Sequence, residues 1–422
     1  MYGLHRFGII LGLSTIRDIL DGLGNPQDTF RCIHVAGTNG KGSVASALAN
    51  ILHLSGYRVG LYTSPHLIRF NERICINGKP IADDRVLGSY EAVCNVHQGD
   101  REPTFFEFTT AMALYEFGRA KVDWAVIETG MGGRLDATNL VNPSLTLITN
   151  ISLEHQLYLG NTIAKIAGEK AGIIKQGIPV ITGAHQKSAV TVIESTAREH
   201  SAPVFRKGKD FRVRRHSNGT FAYSGIHHSW KKMRTGLLGR HQVDNAALVL
   251  AACDILTDQG IDLPIDTIRK GLMENKWPGR LEVIFERPTL LLDGAHNMTA
   301  VRHLARHLTE QLAKQPAGKK ITLVSGILDD KAYPAMLKCL LPLCHRAILT
   351  QPKIDRSLSP DTLYPIAKTM IDDVTVIADV PAAVNHALHT AQPDEVVCVA
   401  GSLYLVGEVK AALENGAIAH KP

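Results

Sequence analysis

The amino-acid sequence predicts an α/β protein: a P-loop-containing, doubly wound parallel sheet with a small antiparallel β insertion, followed by a second, Rossmann-like α/β domain. Three observations predict it. Short apolar, β-branched runs alternate with longer segments of helical spacing. A glycine-rich turn, His34-Val-Ala-Gly-Thr-Asn-Gly-Lys-Gly-Ser43, joins the first such run to a strong helical pattern. Polar residues gather just beyond the strand-like runs, where open parallel sheets bind their ligands.

Cys32 to Val35 suits a buried strand, and Val44, Leu48, Ile51 and Leu52 space a helix that closes near Gly56. Between them, Gly37, Gly40 and Gly42 bare the backbone N–H groups of a helix N-terminus, an arrangement that holds anions. Lys41 adds a mobile positive charge for outer phosphates, and Ser43 a hydroxyl where phosphate loops contact Mg2+. The spacing departs from the Walker A loop, which has a glycine where this chain has Val35. A flexible surface turn would read the same way, so the loop alone leaves both readings open.

Upstream, in the segment of Arg6 to Ile9 and Leu11 to Leu13, Ser14 is placed to cap a short helix. Val59 to Tyr62 forms the second strand and runs into Thr63-Ser-Pro-His-Leu67. The right-handed crossover of this βαβ unit puts Ser64 beside the phosphate loop. Trp124 to Glu128 is a strand ending in an acid, followed by Thr129 to Asn139; Glu128 is the leading metal ligand, because Mg2+ takes hard oxygens. Leu145 to Thr149 then brings His155 to the same sheet edge. Thr104 to Thr110 reads as a helix start with a Thr104–Glu107 capping box, or as an aromatic ledge for a flat ring. A helix over Thr162 to Lys175 carries Lys170, which pattern alone does not single out. Pro203 to Met233, with its Ser217 to Thr220 turn, predicts an antiparallel hairpin or small sheet on the first domain. A helix through His241 to Ala246 follows, and Trp277-Pro-Gly-Arg280 marks the boundary between domains 1–280 and 281–422. Beyond it, strands near Thr289 to Leu292, Ile321 to Ser325, Ala347 to Thr350, Val374 to Ile377 and Val396 to Ala400 alternate with helices. Asp293-Gly-Ala-His-Asn297 and Gly326 to Lys331 stand at the ends of the first two.

The 422 residues, 45% hydrophobic and 20% charged, are enough for two sizeable cores. No apolar run approaches the roughly 20 residues of a membrane span, and no signal peptide surrounds His5 and Arg6, so a cytoplasmic protein is expected. Seven scattered cysteines fit a reducing compartment; Cys339 and Cys344 are the nearest pair and have no second pair at zinc spacing. A net charge of +6 without a dense basic stripe argues against nucleic acid, and the most basic run, Arg206 to Arg215, reads as a solvated hairpin face.

Together these segments closely resemble the folylpolyglutamate synthase and dihydrofolate synthase family, a branch of the Mur-ligase-like ATP-dependent amide ligases. The resemblance spans nearly the whole chain. It rests on Ala36 to Ser43, Thr63 to Leu67, Gly130 to Asn139, His155 with Leu159-Gly160, Glu169 to Gly172, Gly239, His241-Gln242 with Asn245-Ala246, Pro278 to Arg280, Asp293 to Asn297 and Gly401 to Tyr404. The short glycine spacing is the family's own form of the loop.

The resemblance implies that Asn39, Gly40, Lys41, Gly42 and Ser43 hold the ATP phosphates, and that Ser64, Glu128 and His155 coordinate Mg2+. It further implies that Lys170 is carbamylated and binds a second Mg2+, making Lys41, His155 and Lys170 the catalytic set. Asn245, Arg280, Asp293 and His296 would clasp the nucleotide from the other side. Gly12, Leu13, Ser14, Thr104, Phe106, Glu107, Leu135, Asp136 and Ala137 fall where the family holds its pterin substrate. Glu154 stands where the family commonly has aspartate, and Met298 where a proline is usual. The implied enzyme is a monomer that adds L-glutamate to dihydropteroate and to reduced folates through an acyl phosphate, its C-terminal domain binding glutamate. An enzyme with only one of the two activities is the near alternative, and a Mur-type amino-acid ligase a more distant one. A nucleotide-binding switch or motor leaves Lys170 and the second domain unexplained.

Overall fold

The structure, a computed structural model, describes residues 12–97, 99, 101–313 and 320–419. His5, the Arg6 to Ile9 segment and Leu11 lie outside the described residues. The first unit is an eight-stranded sheet of β1 (Arg31–Ala36), β2 (Val59–Tyr62), β3 (Ile74–Ile76), β4 (Lys79–Pro80), β5 (Trp124–Glu128), β6 (Leu145–Ile148), β7 (Val180–Thr182) and β8 (Val204–Arg206). Their order is β4-β3-β2-β5-β1-β6-β7-β8. Strands β2 to β8 across that order run parallel, and β3 and β4 add an antiparallel edge.

From β1 the chain winds to one side through β2 and β5, then to the other through β6, so β1 ends at the topological switch point where such sheets bind ligands. Strands β1, β5 and β6 are buried along their length apart from Arg31, as strands covered on both faces must be. Ile16, Leu20, Phe108, Leu114 and Phe117 belong to one core cluster. Ile148, Ile166, Ile173 and Ile193 belong to another.

Several local expectations are refined. Helix Ser14–Gly22 has Leu13 at its N-cap with no side-chain cap bond, so Ser14 is its first helical residue and not its cap. Thr104 does cap helix Phe105–Arg119: its hydroxyl accepts the Glu107 N–H at 3.2 Å, and the Glu107 carboxylate accepts the Thr104 N–H at 2.8 Å. The Lys170 helix is shorter than the pattern suggested, Ile163–Ala171, because Gly172 packs against the Arg134 backbone and its carbonyl accepts a bond from Asn139.

Part of the presumed hairpin is main sheet. Residues Val204–Arg206 pair with β7 in parallel, and the separate antiparallel sheet begins at β9 (Arg212–Arg215), continuing through β10 (Phe221–Ser224) and β11 (Ser229–Met233).

The second unit groups Leu67–Arg69 and Leu237–His241 with the chain from Trp277 onward, so Arg280 belongs to it rather than to the first. Its strands are β12 (Glu282–Glu286), β13 (Thr289–Asp293), β14 (Ile321–Ser325), β15 (Arg346–Leu349), β16 (Val374–Val376) and β17 (Val396–Ala400), ordered β12-β13-β17-β14-β15-β16. Only β12 is antiparallel; it is a half-exposed edge whose glutamates masked it in the sequence. Leu291, Leu304, Leu323 and Leu337 pack in one core cluster, and Leu290, Val324, Val384 and Val399 in another. No described helix is long and apolar enough to cross a membrane.

The capping box makes a measurable demand. Thr104→Ala should lower the unfolding free energy of the first unit by about 1 kcal/mol, read as a lower urea midpoint at unchanged slope; an unchanged midpoint would show the cap to be dispensable.

Candidate active site

The phosphate loop is held by the end of the neighbouring strand. The Asn39 N–H donates to Asn150 Oδ1 at 3.0 Å, and the Asn39 carbonyl accepts from Asn150 Nδ2 at 2.9 Å and from Thr149 Oγ1 at 2.7 Å. Thr38 donates its N–H to the Asn150 carbonyl at 2.9 Å, and its hydroxyl accepts the Ser152 N–H at 3.0 Å. Gly37 and Gly40 take positive φ of 148° and 84°. A Cβ at Gly37 would collide with Thr149 Oγ1, and one at Gly40 would lie 2.6 Å from Asn245 Oδ1. Gly40 is the N-cap of helix Lys41–Leu54, so the amides of Lys41, Gly42 and Ser43 form its first turn, ready for an anion.

Helix Arg240–Asp258 closes this loop from behind. Gln242, nearly fully buried, donates to Ser43 Oγ at 3.4 Å and accepts from Asn245 Nδ2 at 2.9 Å.

The charged groups converge on the same edge. Glu128, buried at the end of β5, lies 3.9 Å from Lys41 Nζ and accepts the Ser64 N–H at 3.3 Å. Lys170 is 4% exposed, and its Nζ donates to the Gly37 carbonyl at 2.8 Å. Burial first, and the Lys41 charge second, lower its pKa from 10.5 to about 7, against opposing pulls from Glu154 and Asp136. His155 stands at positive φ (49°) at the start of helix Gln156–Leu159, three residues past the Ser152 bond to the loop. Among the described residues no three His, Cys, Asp or Glu side chains form a metal site by themselves. The expected set has only Glu128 and His155 of these types, the others being a hydroxyl and a modified lysine. Buried hard oxygen at Glu128, with the buried and unpartnered Ser152 hydroxyl near the loop, fits a Mg2+–phosphate ligand.

The loop after β5 is fixed onto the Lys170 helix. Arg134 N–H donates to the Glu169 carbonyl at 2.7 Å, and a Cβ on Gly133 would lie 2.9 Å from the Lys170 carbonyl oxygen. The Asp136 carboxylate is buried and accepts from Met131 N at 2.8 Å, Thr138 N at 3.1 Å and Thr138 Oγ1 at 2.5 Å. Burial raises its pKa, while these donors and Lys41 pull it down. The single Thr138 hydroxyl proton is thus committed, so the fully buried His34 must donate from Nε2 across 2.8 Å to Thr138 Oγ1. Burial, aided by Lys175, lowers the His34 pKa to about 3 and keeps it neutral.

Of the residues assigned to a pterin, Phe106 lies over Gly130 and 6.0 Å from the Tyr62 ring. Thr104 and Glu107 are engaged in the capping box, and the Glu107 carboxylate also pairs with Arg101 at 2.7 Å. Leu135 is half-buried and Ala137 buried in the same loop, whereas Gly12, Leu13 and Ser14 lead into the first helix.

In the second unit Asp293 accepts the Leu281 and Ala295 N–H groups at 2.8 and 3.0 Å, Arg280 donates to the Gly279 carbonyl at 3.1 Å, and His296 Nδ1 lies 2.7 Å from the Gly294 carbonyl. Burial raises the Asp293 pKa, with Arg280 opposing. The pattern reading missed Thr38, Thr149, Asn150, Gln242 and the His34–Thr138 bond. Gln242 and Asn245 do share a helix face at i,i+3, which was a usable signal.

A phosphate loop, an acid and a buried lysine on one parallel-sheet edge, with a second α/β unit following, define a Mur-type ATP-dependent ligase. Residues 35–253 match the Mur ligase middle domain, and residues 279–403 the Mur ligase glutamate ligase domain. The dihydrofolate synthase/folylpolyglutamate synthase of Bacillus subtilis is 37% identical, over 98% of this chain and 97% of its own. Its Escherichia coli counterpart is 31% identical, over 97% and 93%. Among solved structures, E. coli FolC in complex with DHPP and ADP matches with a TM-score of 0.89 and 29% identity, covering 98% of this chain and 96% of that one. The Yersinia pestis bifunctional enzyme complexed with AMPPNP and a Mn ion gives 0.88 and 32%, covering 98% and 96%. The chain belongs to the dihydrofolate synthase/folylpolyglutamate synthase family and is an ATP-dependent ligase that forms C–N bonds.

Lys170 sets a pH signature. An unfolded lysine titrates near 10.5 and this one near 7, so between these values the unfolded chain binds a proton that the native chain does not, and stability rises with pH. Urea unfolding in CO2-free, metal-free buffer should show the parent gaining on Lys170→Met from pH 7 to 10; parallel curves would contradict the shift.

Proposed function

We propose that the chain joins L-glutamate to dihydropteroate and, as a second activity, to reduced folates, converting ATP to ADP and phosphate. The observation that carries this reading is Lys170, a buried amine whose Nζ donates to the Gly37 carbonyl of the same loop that carries Lys41. A nucleotide switch has no use for it. Carbon dioxide adds only to an unprotonated amine, and a lysine with its pKa lowered to about 7 is substantially unprotonated at neutral pH. The new N–C bond would release one proton to water and turn a cation into a carboxylate.

Asn39 to Ser43 are read as the cradle for the ATP phosphates, with Asn245, Arg280, Asp293 and His296 as further nucleotide contacts. Ser64, Glu128, His155 and carbamylated Lys170 would hold two Mg2+ ions. Bound there, Mg2+ offsets charge on the transferring phosphoryl group. Lys41 bears on the same charge. The acceptor carboxylate attacks the γ-phosphorus, ADP leaves, and the resulting acyl phosphate is attacked by the glutamate amine; the tetrahedral adduct collapses with loss of phosphate and a proton. Phe106, Leu135, Asp136 and Ala137, with Gly12 to Ser14, are read as the pterin side of the site, Thr104 and Glu107 fixing the helix that carries Phe106. Seven free cysteines favour action in the cytoplasm, and the chain is read as a monomer.

Glutamate-dependent ADP release with dihydropteroate tests the proposal; no release with any pteroate or folate would end it. Lys170→Ala should lower turnover by several orders of magnitude with the fold intact, and a short carboxylic acid should restore part of it; undiminished turnover would remove the carbamate. Glu128→Gln should raise the Mg2+ requirement more than the folate KM, and the reverse would take Glu128 out of the metal site.

A further inference from the structure

The small antiparallel sheet holds the protein's entire charge imbalance. From Phe211 to Thr235 there are six cations, Arg212, Arg214, Arg215, Lys231, Lys232 and Arg234, and no acid; the remaining 40 Lys and Arg equal the chain's 40 Asp and Glu. All six are exposed. The inner face of the sheet is spent on packing, with Phe221, Tyr223 and Met233 buried and Arg215 paired to Asp244 at 2.7 Å.

The outer face is different. Arg212 and Arg214 on β9 stand opposite Ser224 and Ala222 on β10, and Lys231 follows on β11. Small side chains therefore floor a strip between the two arginines on β9 and Lys231 on β11, roughly 10 Å apart at two strand spacings. Among the described residues Arg212, Arg214 and Lys231 enter no ion pair. The sheet is anchored to the catalytic unit: Asp254 of helix Arg240–Asp258 accepts Tyr223 Oη at 3.0 Å and the Ile226 and His228 N–H groups at 2.7 and 3.0 Å. Asp244, bound by Arg215 and by Lys207 at 2.7 Å each, precedes the Asn245 that touches the phosphate loop.

We propose that this outer face binds the oligo-γ-glutamyl tail of the folate acceptor, an extended chain with one free α-carboxylate per added residue. The assignment rests on the ligase reading above. Charge complementarity favours a polyanion, and a narrow strip flanked by Arg212, Arg214 and Lys231 fits an unbranched one. Nucleic acid is the poorer match, because Trp230 is stacked on Tyr223 at 5.3 Å and His228 at 5.8 Å, leaving no aromatic platform on the cationic face.

Fluorescein-labelled γ-pentaglutamate, without pterin, should bind the parent with salt-sensitive affinity, and about tenfold less tightly to the combined Arg212→Thr, Arg214→Thr, Lys231→Thr variant. The KM of a pentaglutamyl folate should rise by a similar factor, that of the monoglutamyl form staying within about twofold. Equal binding to both proteins, an equal loss for both acceptors, or tighter binding of single-stranded DNA of matched charge would overturn the proposal. A parent that turns over no folate would instead refute the ligase reading, and the anisotropy arm would still decide the surface.

Discussion

The peptide of Asn39 is held as if it were part of a strand, with its N–H and its carbonyl both bonded to the side-chain amide of Asn150. The arrangement of the active edge depends on this grip. It lets a loop with two positive-φ glycines remain in one shape without a ligand, and it orients the first-turn amides of the following helix. Because Asn150 directly precedes the segment that leads to His155, one residue positions the phosphate loop and the approach to the next candidate ligand together. Lys170 bonds Gly37 from another helix. The loop is therefore preorganised, and little ordering entropy is left for binding to supply.

The switch point explains why residues so distant in sequence meet here. Strand β1 lies between β5 and β6, so Glu128 and Asn150 emerge on either side of the glycine loop, and Ser64 follows from the strand beyond β5. Each strand interior is uniformly apolar and interchangeable in kind. The chemistry is confined to the one or two residues that follow it.

That division also decided what could be read from the sequence. The buried strands β1, β2, β5, β14 and β17 announced themselves as apolar runs with polar punctuation, and the Thr104–Glu107 box by its spacing. Strand β12 is an edge with a glutamate at each end, β7 is three residues long, and β3 and β4 form a short antiparallel rim; none has enough apolar periodicity to stand out. Lys170 looked like any helical lysine, since its burial arises from a loop of residues more than thirty positions earlier folding over its helix. The Asn150 grip was illegible for a related reason: nothing in an asparagine after a strand says which peptide it will hold.

The His34–Thr138–Asp136 chain has a consequence of its own. Every donor around the carboxylate points inward, so the loop tests residue 136 for its capacity to accept. An asparagine would occupy the same volume yet turn an N–H toward the Met131 or the Thr138 backbone N–H, neither of which can accept it. The loop is in effect a one-way circuit: its hydrogen-bond direction is set from the imidazole buried on β1, and any sidechain at 136 that cannot accept throughout would have to reverse it.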